Sequence, residues 1–363
     1  MQTIKIFSWN VNGLKKNWDT LLQLMALELP EIVCIQNYRA HNYDHPYLID
    51  LGLPKDEQIL DGEKWVCNYS RISANVRTSN GVAIFSRWAF DQSYSTYGKF
   101  DENNKPVPDT SWVYAKHAAF FGKGRVAAFD FQYFTLVTVL APSGSQDPQS
   151  ARFAERVKFD GDLRRFVFDL KSTTPVLMAG DFKVAVEDID VHPLCGVRLP
   201  YRRNVDKFGR PIPTDTTPKP PYVPLRVNPE HRRRFRTWQT ENFYDALRLF
   251  TNRSDVYTCW NSQKPKPWMP KTDTNRELNQ GWRTDYFLAD WRLKNWVQDC
   301  TVLSNVMGSR NAPIKLVIEL PEPNNPPPPP PLEPEVDYQP DLGFDPTYTG
   351  GDPGNPYFVP PGD

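Results

Sequence analysis

The sequence predicts an α/β protein in which two sheets pack face to face with helices on their outer faces. Three observations predict it. Short β-type runs recur through residues 1–320, amphipathic helical stretches fall among them at irregular intervals, and strict β-α-β alternation is missing. With 39% hydrophobic and 13% aromatic residues, the chain can fill a sizeable core.

The elements follow in order. Ile4–Trp9 is a short strand. Trp18–Leu29 places Trp18, Leu21, Leu22, Met25 and Leu29 at helical spacing, and Pro30 ends the helix. Ile32–Ile35 and Gly81–Phe85 are apolar enough for buried strands. Arg125–Phe131 and Phe134–Leu140 make a hairpin around Gln132–Tyr133. A second helix over Phe153–Leu170 leads into the strand Val176–Ala179.

Two segments depart from this pattern. Asn204–Pro229 holds seven prolines and few apolar anchors, which predicts a long surface loop inserted in the body. Residues 321–363 hold 15 of the 36 prolines, six of them consecutive at Pro326–Pro331, which favours an extended polyproline II rod. Such a rod is either a spacer or a ligand for an aromatic-lined groove. Beyond it Tyr338, Phe344, Tyr348, Tyr357 and Phe358 recur among Pro, Gly and Asp, as residues that dock onto a surface. The chain therefore divides into a body, 1–320, and an acidic proline-rich tail, 321–363.

Net charge is zero but unevenly spread. The tail carries eight acids and no Lys or Arg, so the body holds all 43 basic groups against 35 acidic ones. A basic body with an acidic tail suits weak attraction to a polyanion or to its own tail; equally, the charges are simply solvated. Five scattered cysteines without CxxC spacing argue against a disulfide framework or zinc site and for a reducing, intracellular compartment. MQTIKIFSWN lacks the pattern of a secretory leader, and no apolar run is long enough for a membrane span.

Six strings in order carry a family likeness: IKIFSWNVNGL, PEIVCIQNYR, GVAIFSR, LMAGDFKVAVEDID, GWRTDYFLAD and GSRNAPIKLVIEL. Together they resemble the endonuclease/exonuclease/phosphatase superfamily, in its exonuclease III and class II apurinic endonuclease branch, over roughly Ile4 to Leu320. The resemblance implies a four-layer α/β sandwich with the active site at one end of the paired sheets. It also implies a carboxylate-held magnesium ion and a carboxylate-oriented His acting on a phosphodiester.

Most of those roles are vacant here. Where the resemblance implies Asn-x-Asp, the chain has Asn10 and Asn12, and the metal-binding Glu of the second motif is Asn37. The Tyr and Asn of a further family segment are Leu140 and Ser143. Asp181 and Asp285 survive, but the Asn of Gly-Asp-x-Asn is Lys183, and the final Asp and His are Arg310 and Asn311. Where the family gathers about five acids, two remain beside two basic residues, a formally neutral cluster with little to offer a hard cation. The ancestral magnesium site is therefore expected to be lost, with no cofactor and no catalytic residue in its place. Asp181 and Asp285 are expected to pair with Lys183 and Arg310, since a buried charge without a partner is costly.

Trp282 stands where the family lines a pocket for a flipped-out sugar, although a Trp packed under a loop is the commoner arrangement, and Thr284 replaces an apolar neighbour. Arg232, Arg233, Arg234 and Arg236, interleaved with Phe235 and Trp238, read either as a phosphate-contacting patch or as the wet face of a helix, with the second favoured. Three functions remain open. The first is a catalytically inactive scaffold that binds other protein chains, itself included, through residues 321–363. The second is a weak non-cleaving nucleic-acid binder using Lys183, Arg310, Trp282 and the Arg232–Arg236 run. The third is a phosphodiesterase with a rebuilt site.

Overall fold

Alternation of side chains along β1 (Gln2–Asn10) organises the body. Ile4 and Ile6 enter one apolar cluster while Phe7 and Trp9 enter another on the opposite face, the period of two that a pleated strand imposes. The computed structural model describes residues 2–39, 81–88, 117, 124–195, 224–260 and 276–321, together with the strand pairing of residues 58–60, 63–70, 92–94, 99–100 and 106–107. The tail from residue 322 and the insertion at 196–223 lie outside the described residues, and so do the expectations placed on them.

The strands are β1, β2 (Ile32–Gln36), β3 (Gln58–Leu60), β4 (Glu63–Ser70), β5 (Val82–Ser86), β6 (Gln92–Tyr94), β7 (Lys99–Phe100), β8 (Pro106–Val107) and β9 (Val126–Asp130). They continue as β10 (Thr135–Leu140), β11 (Val176–Asp181), β12 (Phe243–Asp245), β13 (Asp285–Asp290), β14 (Val297–Val302) and β15 (Ile314–Leu320). One sheet runs β14-β15-β1-β2-β5-β4-β3, the other β12-β13-β11-β10-β9-β6, and β7-β8 form a small ribbon. Both large sheets are mixed: β1 lies parallel to β2 but antiparallel to β15, and β10 parallel to β11 but antiparallel to β9.

Between the sheets, Ile6, Ile32, Ile84, Leu316 and Ile318 of the first meet Leu136, Leu177, Ala179 and Phe287 of the second. Helix α1 (Trp18–Glu28) covers the outer face of the first sheet with Leu21, Leu24 and Met25. Helices α2 (Ala151–Lys171) and α3 (Pro229–Thr240) cover the second. The predicted fold of two packed mixed sheets flanked by helices is thus the observed one. Burying each large apolar side chain stabilises it by roughly 1.5–3 kcal/mol.

Local chemistry sets the element ends. Ser150 caps α2 by accepting from the Phe153 amide at 3.2 Å, and Phe159, Leu163, Phe166, Val167 and Leu170 line its inner face. Asn228 caps α3, with Pro229 following it at the first helical position. The surface loop predicted for 204–229 therefore ends early: Val227 is buried and Asn228 already belongs to the helix start. At Gln132–Tyr133 the predicted hairpin turns, closed by Phe131 N–H to Phe134 C=O at 2.9 Å. The expectation for Leu29 needs correction. It takes a left-handed conformation (φ 51°) as the residue that ends α1, and its side chain is 55% exposed instead of facing the core.

Two contacts hold the sheets in place where the site forms. The Gln36 amide, buried at the end of β2, donates to Ser8 Oγ at 2.9 Å and across the sandwich to Thr138 Oγ1 at 3.0 Å. Gly180, in β11, adopts φ +147°, and a Cβ there would lie 2.0 Å from the Val139 carbonyl oxygen.

Candidate functional site

The parallel pairing of β10 with β11 sets Leu140 beside Asp181, and the antiparallel pairing of β11 with β13 sets Asp181 beside Asp285. Two buried carboxylates thus face one another at one end of the sandwich, where β1 delivers Asn10 and the segment before β15 delivers Asn311.

Their surroundings differ. Asp181 is fully buried. Its Oδ2 accepts from Asn10 Nδ2 at 2.6 Å, from Asn311 Nδ2 at 3.3 Å, and from the Lys183 ammonium in a short ion pair, while Oδ1 accepts from the Lys183 amide at 3.0 Å. Burial pushes this carboxyl up, but the Lys183 charge and these hydrogen bonds outweigh burial and hold it below the usual carboxylate range. Asp285 has no cation in contact among the described residues. Asn311 Nδ2 straddles its oxygens at 3.0 and 2.8 Å, and Thr258 and Thr284 hydroxyls donate at 2.6 and 3.1 Å. Burial first, and the Asp181 carboxylate second, push Asp285 up to about 8.

The expected pairing of Asp181 with Lys183 is present. The expected pairing of Asp285 with Arg310 is absent among the described residues; a single amide, Asn311, bridges both acids instead. Arg310 is half-buried; its carbonyl accepts from the Trp260 amide at 3.0 Å and its Nε is buried without an acceptor among the described residues. Asn311 is oriented from behind, where Trp9 Nε1 donates to its carbonyl at 2.9 Å.

The remaining site positions separate into two groups. Asn12 Oδ1 accepts from Asn37 Nδ2 at 3.1 Å, and Asn37 Oδ1 accepts from Arg39 Nε at 3.3 Å, so these replacements bind one another. Leu140 is buried against Val82 and Ala127, and Ser143 is exposed. Asn12, Asn37 and Lys183 have φ values of 49°, 58° and 59°. Asn tolerates this left-handed region; Lys does so less readily, and the ion pair to Asp181 holds it there.

Trp282 is packed with Ala185, Val191, Cys195 and Val227, and donates Nε1–H to the Cys195 carbonyl at 3.1 Å, the arrangement of a Trp seated under a loop. The arginines of α3 are engaged within the protein. Arg232 reaches Asp188 at 2.9 Å, Arg233 and Arg234 share Glu230, and Arg236 meets Glu187 at 3.1 Å, while Phe235 and Trp238 are buried. Arg233 and Arg236 lie on the wet face of this helix, as expected, whereas Arg232 and Arg234 are largely covered.

Sequence reasoning missed Arg226. It follows the proline-rich insertion, lies over the Trp282 ring at 4.6 Å from guanidinium carbon to centroid, and places an N–H 3.4 Å from Cys259 Sγ. Burial opposes its charge, but Cys259, Asp181 and Asp285 lie close enough to raise its pKa above the ordinary guanidinium value. Its only sequence signal is an isolated cation between Pro224 and Asn228, too weak to notice.

Among the described residues, no three His, Cys, Asp or Glu side chains are grouped to hold a metal ion. A cavity of about 370 Å³ beside Trp260 is lined by Arg253, Tyr257, Arg276 and Asn279. Arg276 stacks on Trp260 at 4.6 Å and donates to the Ser304, Val306 and Ser309 carbonyls.

Residues 7–304 match the Endonuclease/Exonuclease/phosphatase family. An exodeoxyribonuclease of Bacillus subtilis is 23% identical over 87% of this chain and 100% of its own length. The DNA repair nuclease APEX1 of Danio rerio is 26% identical over 87% and 82% respectively. Among solved structures, an AP endonuclease from Leishmania major superimposes with a TM-score of 0.61 at 21% identity, covering 88% of this chain and 89% of that one. The 3′ phosphatase NExo from Neisseria, solved with a product DNA hairpin, gives 0.59 at 19%, covering 87% of this chain and 100% of that one.

Proposed function

Since the chain belongs to the endonuclease/exonuclease/phosphatase family, we propose that it is a member without phosphodiesterase activity, its fold kept as a binding and assembly body. The observation that carries this reading is the Lys183 ammonium seated on Asp181, with Asn311 occupying Asp285. A divalent ion needs carboxylate oxygens free to replace its water shell. Here a fixed cation already holds one carboxylate, and the other is held neutral up to a pH of about 8. An ion settling between them would meet Lys183 and the nearby Arg226, with repulsion on the order of 4 kcal/mol per unit charge pair at ~4 Å and intermediate dielectric. The residues present do not fit magnesium.

Proton transfer lacks a group as well. Asn311 stands where the resemblance puts a His, and an amide neither accepts nor releases a proton at neutral pH, forgoing roughly 10²–10⁴-fold in rate. The nuclease names of the relatives belong to those proteins; the reading here follows the replaced side chains.

For the positive role, the proposal is association with other protein chains, further copies included, through residues 321–363, whose aromatic and proline-rich composition suits docking. No described helix is long and apolar enough to cross a membrane. The scattered spacing of the five cysteines, without a CxxC pair, supports a reducing, intracellular compartment.

The test is incubation with an abasic duplex and Mg²⁺ or Mn²⁺, with a chelator control. No cleavage is expected, and chelator-sensitive turnover at enzyme-like rates overturns the reading. In parallel, light scattering of the full chain against a chain ending at residue 321 should show assembly lost with the tail.

A further inference from the structure

The cavity of about 370 Å³ beside Trp260 has the size of a ligand pocket, roughly 300–1,000 Å³, and its lining includes neither Asp181 nor Asp285. Tyr257 and Trp260 give it aromatic walls, Val302 an aliphatic one, and Arg253, Arg276 and Asn279 its polar groups. These walls are braced. Arg276 stacks on the Trp260 ring and donates to three backbone carbonyls, while Asn279 Nδ2 donates to the Asp255 carbonyl at 2.7 Å. Asp255 pairs with Arg253, but Arg276 meets no carboxylate among the described residues, so the lining carries a net charge of +1. Apolar surface adjoins it. Leu278, next to Asn279, is 64% exposed, and Met307, next to the Val306 whose carbonyl Arg276 holds, is 58% exposed.

Aromatic walls, an arginine without a counter-charge and apolar neighbours suit an extended acidic segment that carries aromatic and proline residues. Residues 332–363 have that composition. They hold seven acids, no Lys or Arg, and the clusters Asp337-Tyr338-Gln339-Pro340-Asp341 and Phe344-Asp345-Pro346. Geometry within β15 bears on which copy supplies them. Val302, on the cavity wall, pairs with Ile314 at the start of β15, and the strand ends at Leu320, roughly 20 Å further on at ~3.3 Å per residue. Six consecutive prolines, a stiff spacer by composition, then span a further ~19 Å before the aromatic clusters begin. A stiff spacer that starts from the opposite end of β15 favours docking on a neighbour over folding back. We propose that this cavity receives the acidic, aromatic tail segment of a second copy of the chain. Such a contact joins two different surfaces, and so it propagates from copy to copy. It rests on the preceding reading in one respect, that the tail is the assembling segment.

Two measurements on the full chain test it. In the first, the chain carries a photo-crosslinking residue in place of Tyr338, and the products are sized and mapped. Chain-to-chain products joined within residues 253–260, 276–279 or 302–304, fading on dilution, are expected. In the second, a labelled synthetic peptide of residues 332–350 is titrated with the protein and followed by anisotropy. Arg253→Glu, at an exposed position, and Arg276→Gln should each weaken peptide binding by about tenfold, the scale of one lost charged contact. Lys158→Gln, on the exposed face of α2, should leave it unchanged. If Arg276→Gln fails to fold, a peptide with Tyr338→Ala and Phe344→Ala should show the same loss against the wild-type protein.

The inference is overturned by cross-links elsewhere on the body, or by Arg253 and Arg276 variants that bind the peptide as tightly as wild type. Cross-links within one chain that persist on dilution overturn it too, since the chain's own tail is then the occupant. Assembly that survives loss of the tail sinks the preceding reading instead, and the peptide titration still reads the cavity by itself.

Discussion

Asp181 and Asp285 are register partners on neighbouring strands, equally buried and bridged by one amide, yet they are held in opposite charge states. At Asp181 an ammonium and three amide N–H groups meet the carboxylate, and it stays ionised. At Asp285 the described donors are all neutral, beside an existing negative charge, and the proton stays on at neutral pH. Burial is common to both; the presence of one cation decides the outcome.

The largest effect that tests this contrast is the pH dependence of stability. Asp285 has a folded pKa of about 8, well above the ordinary carboxylate value near 4, so the native state binds the more proton over that interval. Its contribution is fully present below about pH 4 and is lost as pH rises to about 8, a change on the order of several kcal/mol. Asp181 works in the opposite direction. Its folded pKa is depressed, so its contribution is present above about pH 4 and is lost as pH falls through the folded value. Urea melts of Asp285→Asn from pH 4 to 8 should therefore show a flatter profile than wild type. Parallel profiles would break the comparison.

Next in size is Lys183→Met, which strands Asp181 in the interior and should destabilise by about 3 kcal/mol at pH 7. The measurement that checks it is the denaturation midpoint, with m unchanged. Smaller again is Asn311→Leu, which removes hydrogen bonds to both acids and should lower stability by about 2 kcal/mol. If Asn311→Leu exceeds Lys183→Met, the amide bridge rather than the ammonium is the stronger determinant. The smallest expected effect is on activity. Asn37→Glu alone should yield no magnesium-dependent cleavage, since Lys183 remains on Asp181 and Asn37 is tied to Asn12 and Arg39.

The fold was legible because its signals are local: alternation in β1, the two-residue turn at Gln132–Tyr133, and the apolar face of α2 with Ser150 before it. The Asp181–Lys183 pair was legible for the same reason, as two residues on one turn. Asp285 was read wrongly because Arg310 and Asn311 are adjacent in sequence, and nothing in their order says which side chain turns inward. Arg226 was missed because its relation to Asp181 arises from packing against Trp282, across a long insertion, and has no periodicity to announce it. Leu29 was misplaced because helical spacing continues through it, while the backbone has already reversed hand.

Gly180 carries a lesson about drift. Its Cβ-free backbone lets β11 lie against the Val139 carbonyl, and any side chain there would prise the strands apart next to Asp181. Around it, with Asn at positions 10 and 12 and Lys at 183, the pairing of β11 with β10 and β13 is unbroken. A mutational scan of this chain would therefore find Gly180 intolerant although it has no functional group at all.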